Sequence, residues 1–448
     1  GFGKFQLKQN RVTHNISLYN ENDVKNQPIL QNISENQLEA LSNAGDNDEL
    51  MYVPSGTLTP YNENRILYKK EIVNGVEIFI YSNNQDDELY DVIFTNVGNN
   101  EGNYVLLSNN AVENIYEYVE PINGESQGDF EPLVKLVAPE KLQLLIYNTE
   151  YESKKGSIIN FELAASKKDE NLFSSIGDSN NNGFASKLNY KSQYIINESK
   201  LKAFIDLNYI ENTFQPIERI FDVEFNRDWD LNNTIIRNSN QLFSNIVLDL
   251  INKKIGTIKY GWENLKYYNQ YNGIKNSISF NSNNIKNLRI SSNTSFMESN
   301  QNQYSSNFTD SNNKIDILYE NGWIELTYNN ERKKSNGNTN LNTPDFGQQQ
   351  YQIKKGFGNP EKSFIEIGYL NNNNDSIVDG NLAKVNSQNS FFIKSQLIKN
   401  KKSNLNIYVN KSNIKSFNQN SDEDFLNTKM IYNQKILKNI VDSNLYYE

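Results

Sequence analysis

The chain has 448 residues, no cysteine, one histidine (His14) and a formal net charge of −10, with a pI near 5.0. A cysteine nucleophile, a thiolate metal site and a disulfide framework are excluded, a histidine-rich zinc centre is impossible, and an acidic balance without a basic, aromatic-interleaved patch argues against a nucleic-acid partner. No run of about 18 apolar residues exists, so there is no transmembrane helix, yet strands of about 9–11 residues with one apolar face can cross a membrane at low mean hydropathy, here −0.72.

The sequence opens on Gly1 without a charged-then-apolar leader, as expected of a processed secretory protein or of a fragment. Residues 1–60 read as short strands around Phe5, Leu7, Ile16 and Leu18, followed by one helix. Ser34 supplies its N-cap, Leu38 and Leu41 its apolar face and Gly45 its stop. Residues 61–152 read as a compact β domain. Asn74-Gly75 between two apolar runs predicts a type I′ hairpin, and 90–97 with 103–107 predicts a second hairpin across 98–102. Short strands follow at 115–119 and 133–137, and 140–152 leads out of the domain.

From 153 to 448 the alternation is that of half-buried strands. Ile159, Phe161 and Leu163 alternate with Asn160 and Glu162. Leu201, Ala203, Ile205 and Leu207 stand against Lys202, Asp206 and Asn208. Phe221, Val223 and Phe225 against Asp222, Glu224 and Asn226 predict a further strand. The same pattern recurs at Ile258-Tyr260-Trp262, Ile324-Leu326-Tyr328, Ile365-Ile367-Tyr369 and Leu405-Ile407-Val409. In all, roughly 14–16 antiparallel strands are expected, with longer loops at 297–312 and 333–348.

So many strands must hide their edges in a barrel, a sandwich or a propeller. No repeat of about 40–50 residues supports a propeller. The polar sets, rich in Asn, Ser, Lys and Glu, suit a wet lumen. Tyr209, Trp229, Tyr267, Tyr268, Trp323, Tyr351, Tyr446 and Tyr447 fall near predicted strand ends, as in interfacial girdles, although aromatic residues also favour strands for their own sake.

Asp178, Asn180 and Asn182 ahead of Gly183 resemble the start of a calcium loop, which Asp169 and Glu170 are near enough in sequence to complete. The twelfth position is Asn189 where a calcium loop has Glu, and a plain polar turn is the competing reading. Arg219, Asp222, Glu224, Arg227 and Asp228 lie on or beside one predicted strand, where Asp222, Glu224 and Asp228 share a face by parity, the raw material of a glycosidase. A charge ladder facing a lumen explains them more simply. The basic run at 399–402 reads as a solvated turn, and His14 sits in a polar stretch without triad partners. No catalytic residue and no cofactor site beyond the calcium candidate is assigned.

Several segments resemble a group of large, poorly characterised β-rich outer-membrane proteins of Bacteroidota. They are Glu21-Asn22-Asp23-Val24-Lys25-Asn26-Gln27-Pro28; Phe94-Thr95-Asn96-Val97-Gly98 with Gly102-Asn103-Tyr104; Glu162-Leu163-Ala164-Ala165-Ser166 with Asp169 and Asn171-Leu172-Phe173-Ser174; and Val223-Glu224-Phe225-Asn226-Arg227-Asp228-Trp229. The resemblance spans most of 1–232 and carries no catalytic residue. It implies an outer-membrane β-barrel after a β domain, with lipid and export or assembly proteins of the envelope as partners. The ending Leu445-Tyr446-Tyr447-Glu448 departs from the terminal aromatic of many barrels, so further strands are expected to follow.

The expected fold is therefore all-β: an antiparallel up-and-down meander forming a transmembrane barrel, complete or not, over 153–448. Lipid would meet Ile159, Phe161, Leu163, Ile205, Leu207, Val223, Phe225 and Ile258. The lumen would carry Glu162, Lys202, Asp206, Glu224 and Lys259. Transport, protein export or an envelope scaffold follows from this. The alternatives are a soluble surface β-sandwich that binds glycans and, more remotely, a glycan-active enzyme using Glu224.

Overall fold

The computed structural model of the chain describes residues 1–23, 33–109, 114–231, 239–301, 304–337, 344–378, 381–399, 403–436 and 441–447. It is all-β, built around one 18-stranded sheet. The sheet strands are β1 Phe2–Gln9, β2 Val12–Asn22, β3 Lys141–Glu152, β4 Ile158–Asp169, β5 Asn182–Ile196, β6 Ser199–Ile210, β7 Gln241–Asn252, β8 Gly256–Tyr267 and β9 Tyr271–Ile285. They continue as β10 Leu288–Gln301, β11 Tyr304–Tyr319, β12 Gly322–Gly337, β13 Phe346–Asn359, β14 Ser363–Val378, β15 Asn381–Lys399, β16 Ser403–Ser416, β17 Ser421–Ile436 and β18 Val441–Tyr447. β1 pairs with β2 and β2 with β3. From β5 onward every strand pairs antiparallel with the next, which is the up-and-down meander that the alternation predicts. The two N-terminal strands join the same sheet, although the sequence alone marks them only as short strands of a leading segment.

Contacts divide the chain into two compact units. One holds Gly1–Gly3, Leu18–Leu145 and Ser166–Gly183, and the other Lys4–Ser17, Ile146–Ala165 and Phe184–Glu448. These bounds differ from 1–60, 61–152 and 153–448.

In the first unit, helix α1 (Glu35–Ala44) begins with a capping box between Ser34 and Gln37 and ends at Gly45, φ 65°. Asn171, fully buried, donates to the carbonyls of Leu41 (2.7 Å) and Gly45 (2.6 Å), satisfying groups that the last helical turn leaves open. Asn74 (φ 51°) and Gly75 (φ 83°) form the predicted turn between Tyr68–Val73 and Val76–Tyr81. The core of these small sheets is aromatic: Tyr68, Phe79 and Tyr104, with Tyr90, Phe94, Tyr116 and Phe130 packed against them.

Two expectations need correction. The segments 90–97 and 103–107 do not form a hairpin. Thr95–Asn96 and Tyr104–Asn109 both pair with Phe130–Glu131, which lies between them. Glycine permits this: a Cβ on Gly102 would stand 2.4 Å from the Phe130 carbonyl oxygen, and one on Gly128 2.3 Å from that of Tyr104. Nor is 297–312 a long loop, because β10 runs to Gln301 and β11 starts at Tyr304. Likewise β12 reaches Gly337 and β13 begins at Phe346, so strand covers much of 333–348. Lateral pairing continues where apolar alternation stops. The Ser299 and Ser306 hydroxyls, for instance, face each other at 2.8 Å across β10 and β11.

Asn171→Ala would strand two buried carbonyls, a loss of about 1–3 kcal/mol. Faster hydrogen exchange of the α1 amides in the full-length chain is the expected result, and unchanged exchange would show that the Asn171 bridge is dispensable.

Candidate functional site

The register sorts the large sheet into two unlike faces. One carries Ile290, Ile315, Leu326, Ile353, Tyr369 and Phe391, side by side on successive strands. Beside that row run Ile317, Ile324, Ile367, Ile393 and Val409, interrupted on β13 by Lys355. Seven of these apolar side chains are exposed, from 37% at Ile315 to 65% at Phe391, and Ile290, Ile324, Tyr369 and Val409 are half-buried. The other face is polar and holds the buried Ser299, Ser306, Lys333, Ser390 and Ser412. Charge ladders cross it. Lys202, Asp249 and Lys259 are opposite one another on β6, β7 and β8. Glu325 binds Lys314 at 2.8 Å and Lys354 at 2.5 Å.

The predicted lipid-facing Ile205, Leu207 and Ile258 lie on the apolar face, and Lys202, Asp206 and Lys259 on the polar one. The Glu162 carboxylate accepts from the Asn148 amide at 3.3 Å.

Residues 211–240 connect β6 to β7, and here the sequence reading fails. Phe221, Val223 and Phe225 are not a strand. Phe225–Asp228 is a single helical turn, α2, so Asp222, Glu224 and Asp228 do not share a strand face. The carboxylate array of a glycosidase strand is therefore absent. Phe221, Phe225 and Trp229 are spaced at i, i+4 and i+8, the helical period, which competes with the period-two pattern in the same residues. Their rings pack accordingly, Phe221 on Phe225 with centroids 4.1 Å apart and Phe225 on Trp229 at 6.3 Å. Phe225 thus turns away from the expected lipid face and packs with Phe243, while Val223 lies outside any strand.

This segment docks on the polar face. Trp229 and Leu231 bury against Leu265, Tyr267, Tyr271 and Met297, with Phe243 and Phe308 alongside. Gly273 makes room, since a Cβ there would stand 2.9 Å from the Trp229 ring. Trp229 and Tyr267 therefore belong to a buried cluster and not to an interfacial girdle. Trp323 likewise lies on the polar face, beside Glu325 in alternation. Tyr351 sits on the apolar face, paired with Tyr328. The side chains of Tyr446 and Tyr447 lie outside the described residues.

Asp230 fastens the segment. The Leu231 amide reaches back to the Asn226 carbonyl at 2.8 Å, closing the helical turn with Asp230 in the left-handed region at φ 52°. Glycine would take that conformation more easily. Asp230 instead supplies a carboxylate. Lys333 Nζ donates to it at 2.7 Å, Tyr304 Oη at 2.7 Å and Ser306 Oγ at 3.1 Å. Gln301 donates to the Asp230 carbonyl at 2.8 Å, and Tyr271 to that of Trp229 at 2.6 Å. Both charged side chains are nearly inaccessible, 7% for Asp230 and 5% for Lys333.

Beside this anchor lies a cavity of about 760 Å³. Asp228 and Asp230 line it from the connection, and Lys275, Met297, Phe308, Asp310, Asn329, Glu331, Lys333, Phe346, Gln348 and Gln350 are among the sheet residues that complete it.

The calcium candidate lies in the first unit. Asp178 and Asn180 form one 3₁₀ turn, and Asn182 starts β5. It is Asn181 whose amide donates to Asp178, at 3.0 Å. The fold brings Asp178 to Asp46 and Asp169, with carboxylate oxygens within 4.8 Å of one another, a grouping that sequence distance hides. Burial, and then the charges of Asp169 and Asp178, raise the Asp46 pKa above the ordinary 3.8.

No protein-family model matches the chain, and no curated protein matches it. Among solved structures, it is similar to that of OccAB3 from Acinetobacter baumannii, at 9% identity over 69% of this chain and 93% of that one, TM-score 0.26. It is also similar to that of OccK2 (OpdF) from Pseudomonas aeruginosa, at 10% identity over 73% of this chain and 94% of that one, TM-score 0.25.

Two outcomes are expected here. Lys333→Met takes the counter-charge from a buried carboxylate, typically a loss of about 3–5 kcal/mol. The amides of 221–231 should then exchange faster, and Asp230→Asn, which keeps the local backbone preference but deprives the buried Lys333 ammonium of its counter-charge, should loosen them to a similar degree. The second concerns pH. A raised folded-state pKa means that the folded chain holds the proton more tightly, so the stabilisation is present at acid pH and is lost as pH rises through the folded value. Asp46→Asn should remove that slope, as read by the protection of the amides at 46–50 across the weakly acidic range.

Proposed function

We propose that the large sheet is the wall of a β-barrel in a bacterial outer membrane and that the protein is a channel for small solutes. The polarity of the sheet carries this reading. A soluble sheet buries its aliphatic face, whereas here Ile315, Leu326, Ile353 and Ile393 are exposed and Ser299, Ser306, Ser390 and Ser412 are buried. That is the arrangement of a wall with lipid outside and water inside. Paired strands also satisfy their backbone groups laterally, as a hydrocarbon environment demands. On the polar face, buried oxygens of Asn245, Asp249, Asn372 and Asn410 have no hydrogen-bond partner among the described residues, a condition that lumen water relieves. The segment 221–231 folds over this face, fixed by Asp230, and would narrow the passage beside the cavity.

Fractionation tests the reading. The native protein should appear in the outer-membrane fraction, resist carbonate extraction and shift in gel mobility on boiling. Ile353→Arg, on the apolar face, should cost about 2–4 kcal/mol if it meets the bilayer midplane, whereas Lys259→Gln on the polar face should cost little. A protein that washes off with carbonate and shows no shift would overturn the barrel and return attention to a soluble, glycan-binding sheet.

A further inference from the structure

The cavity has an internal order that bears on what passes through it. Its wall is three rungs of side chains, each set by strand register. The first is Lys275, Met297, Phe308, Lys333 and Phe346, next to the docked segment. The second is Ser295, Asp310, Glu331 and Gln348. The third includes Asn312, Asn329 and Gln350. Successive rungs on one face lie about 7 Å apart, two residues along a strand.

The charges of the first rung are largely spent. Lys333 is bound to Asp230 at 2.7 Å, and Lys275 is 4.0 Å from Glu263. The second rung is different. Asp310 and Glu331 are directly opposite on β11 and β12, two like charges in a position where opposite charges normally pair. Among the described residues neither has a lysine or arginine within 4.0 Å, although Asp310 accepts from the Asn312 amide at 2.9 Å. Arg332, which follows Glu331 in the chain, and Lys334 alternate to the apolar face.

We infer that the constriction selects positively charged organic solutes, with Asp310 and Glu331 as the recognising pair. This rests on the channel reading and names its substrate class. An ammonium group settles between the two carboxylates and relieves their repulsion. An apolar portion of the solute then meets Met297, Phe308 and Phe346 on one side, and hydroxyl or amide groups meet Asn329 and Gln350 on the other. An anion gains nothing from Lys333, whose charge Asp230 already holds. In a confined passage with low-dielectric walls, two uncompensated carboxylates concentrate cations along the path.

Purified protein in planar lipid bilayers under a potassium chloride gradient provides the test, with benzylammonium and benzoate as probes of one ring and opposite charge. The reversal potential should show cation preference. Benzylammonium should block the current at a concentration on the order of tenfold lower than benzoate. The double variant Asp310→Asn, Glu331→Gln, confirmed as folded by its mobility shift on boiling, should abolish both effects. A conducting protein that prefers chloride, or a variant with unchanged selectivity, overturns the inference and leaves the channel intact. A protein that inserts without conducting overturns the channel, and the inference with it.

Discussion

Lateral pairing is the constraint on which the rest of the structure depends. Once Ile258 stands opposite Leu250 and Phe280, the period of two assigns every other residue of those strands to a face. A slip of one residue would exchange Ile353 with Gln352 and Lys354 and turn charge toward the apolar side. The register printed by the hydrogen bonds is thus also the record of which solvent each face meets. Isoleucine and leucine on one face with serine and lysine on the other is the pattern that the proposed membrane wall requires.

The docked segment shows what such a wall can hold. A buried ion pair seldom adds much net stability, because desolvating both charges offsets their attraction. Its use lies in position. Asp230 accepts from three side chains on two strands, β11 and β12, and each fixes the carboxylate from a different direction. A hydrophobic contact such as Trp229 on Leu265 tolerates sliding, whereas a carboxylate with three donors does not. The aromatic cluster supplies the adhesion and the carboxylate supplies the register.

How much of this was legible follows the physics of each element. Ser34 and Gly45 bracket α1 because capping is local, and Asn74-Gly75 marks its turn because few residues accept positive φ twice in succession. The faces of β6 and β8 were readable in Ile205, Asp206, Ile258 and Lys259, since alternation needs no knowledge of the partner strand. Around Ser299–Asn312 and Lys333–Gly337 the strand ends are not legible, because apolar alternation stops there while lateral pairing continues. The 221–229 segment was misread because Phe221 and Phe225 satisfy both periods, and only the buried surface that receives Trp229 decides between them. The Asp310–Glu331 juxtaposition was invisible for a simpler reason: neither residue is conspicuous until β11 and β12 are aligned.

The anchor of Asp230 also orders events in time. Its contacts lie ever later in the chain: Tyr271 bonds the Trp229 carbonyl across 42 residues, Tyr304 bonds Asp230 across 74, and Lys333 across 103. Strands that are neighbours in sequence can zip together with little loop entropy, whereas contacts this distant wait for the chain between them to be placed. The segment can begin to settle when β9 arrives, but its charge is neutralised only when β12 is in place. Until then Asp230 is a carboxylate without its counter-charge, best left in water. Docking thus registers the progress of assembly, since the segment is locked in place only after the strands that receive it have been laid down.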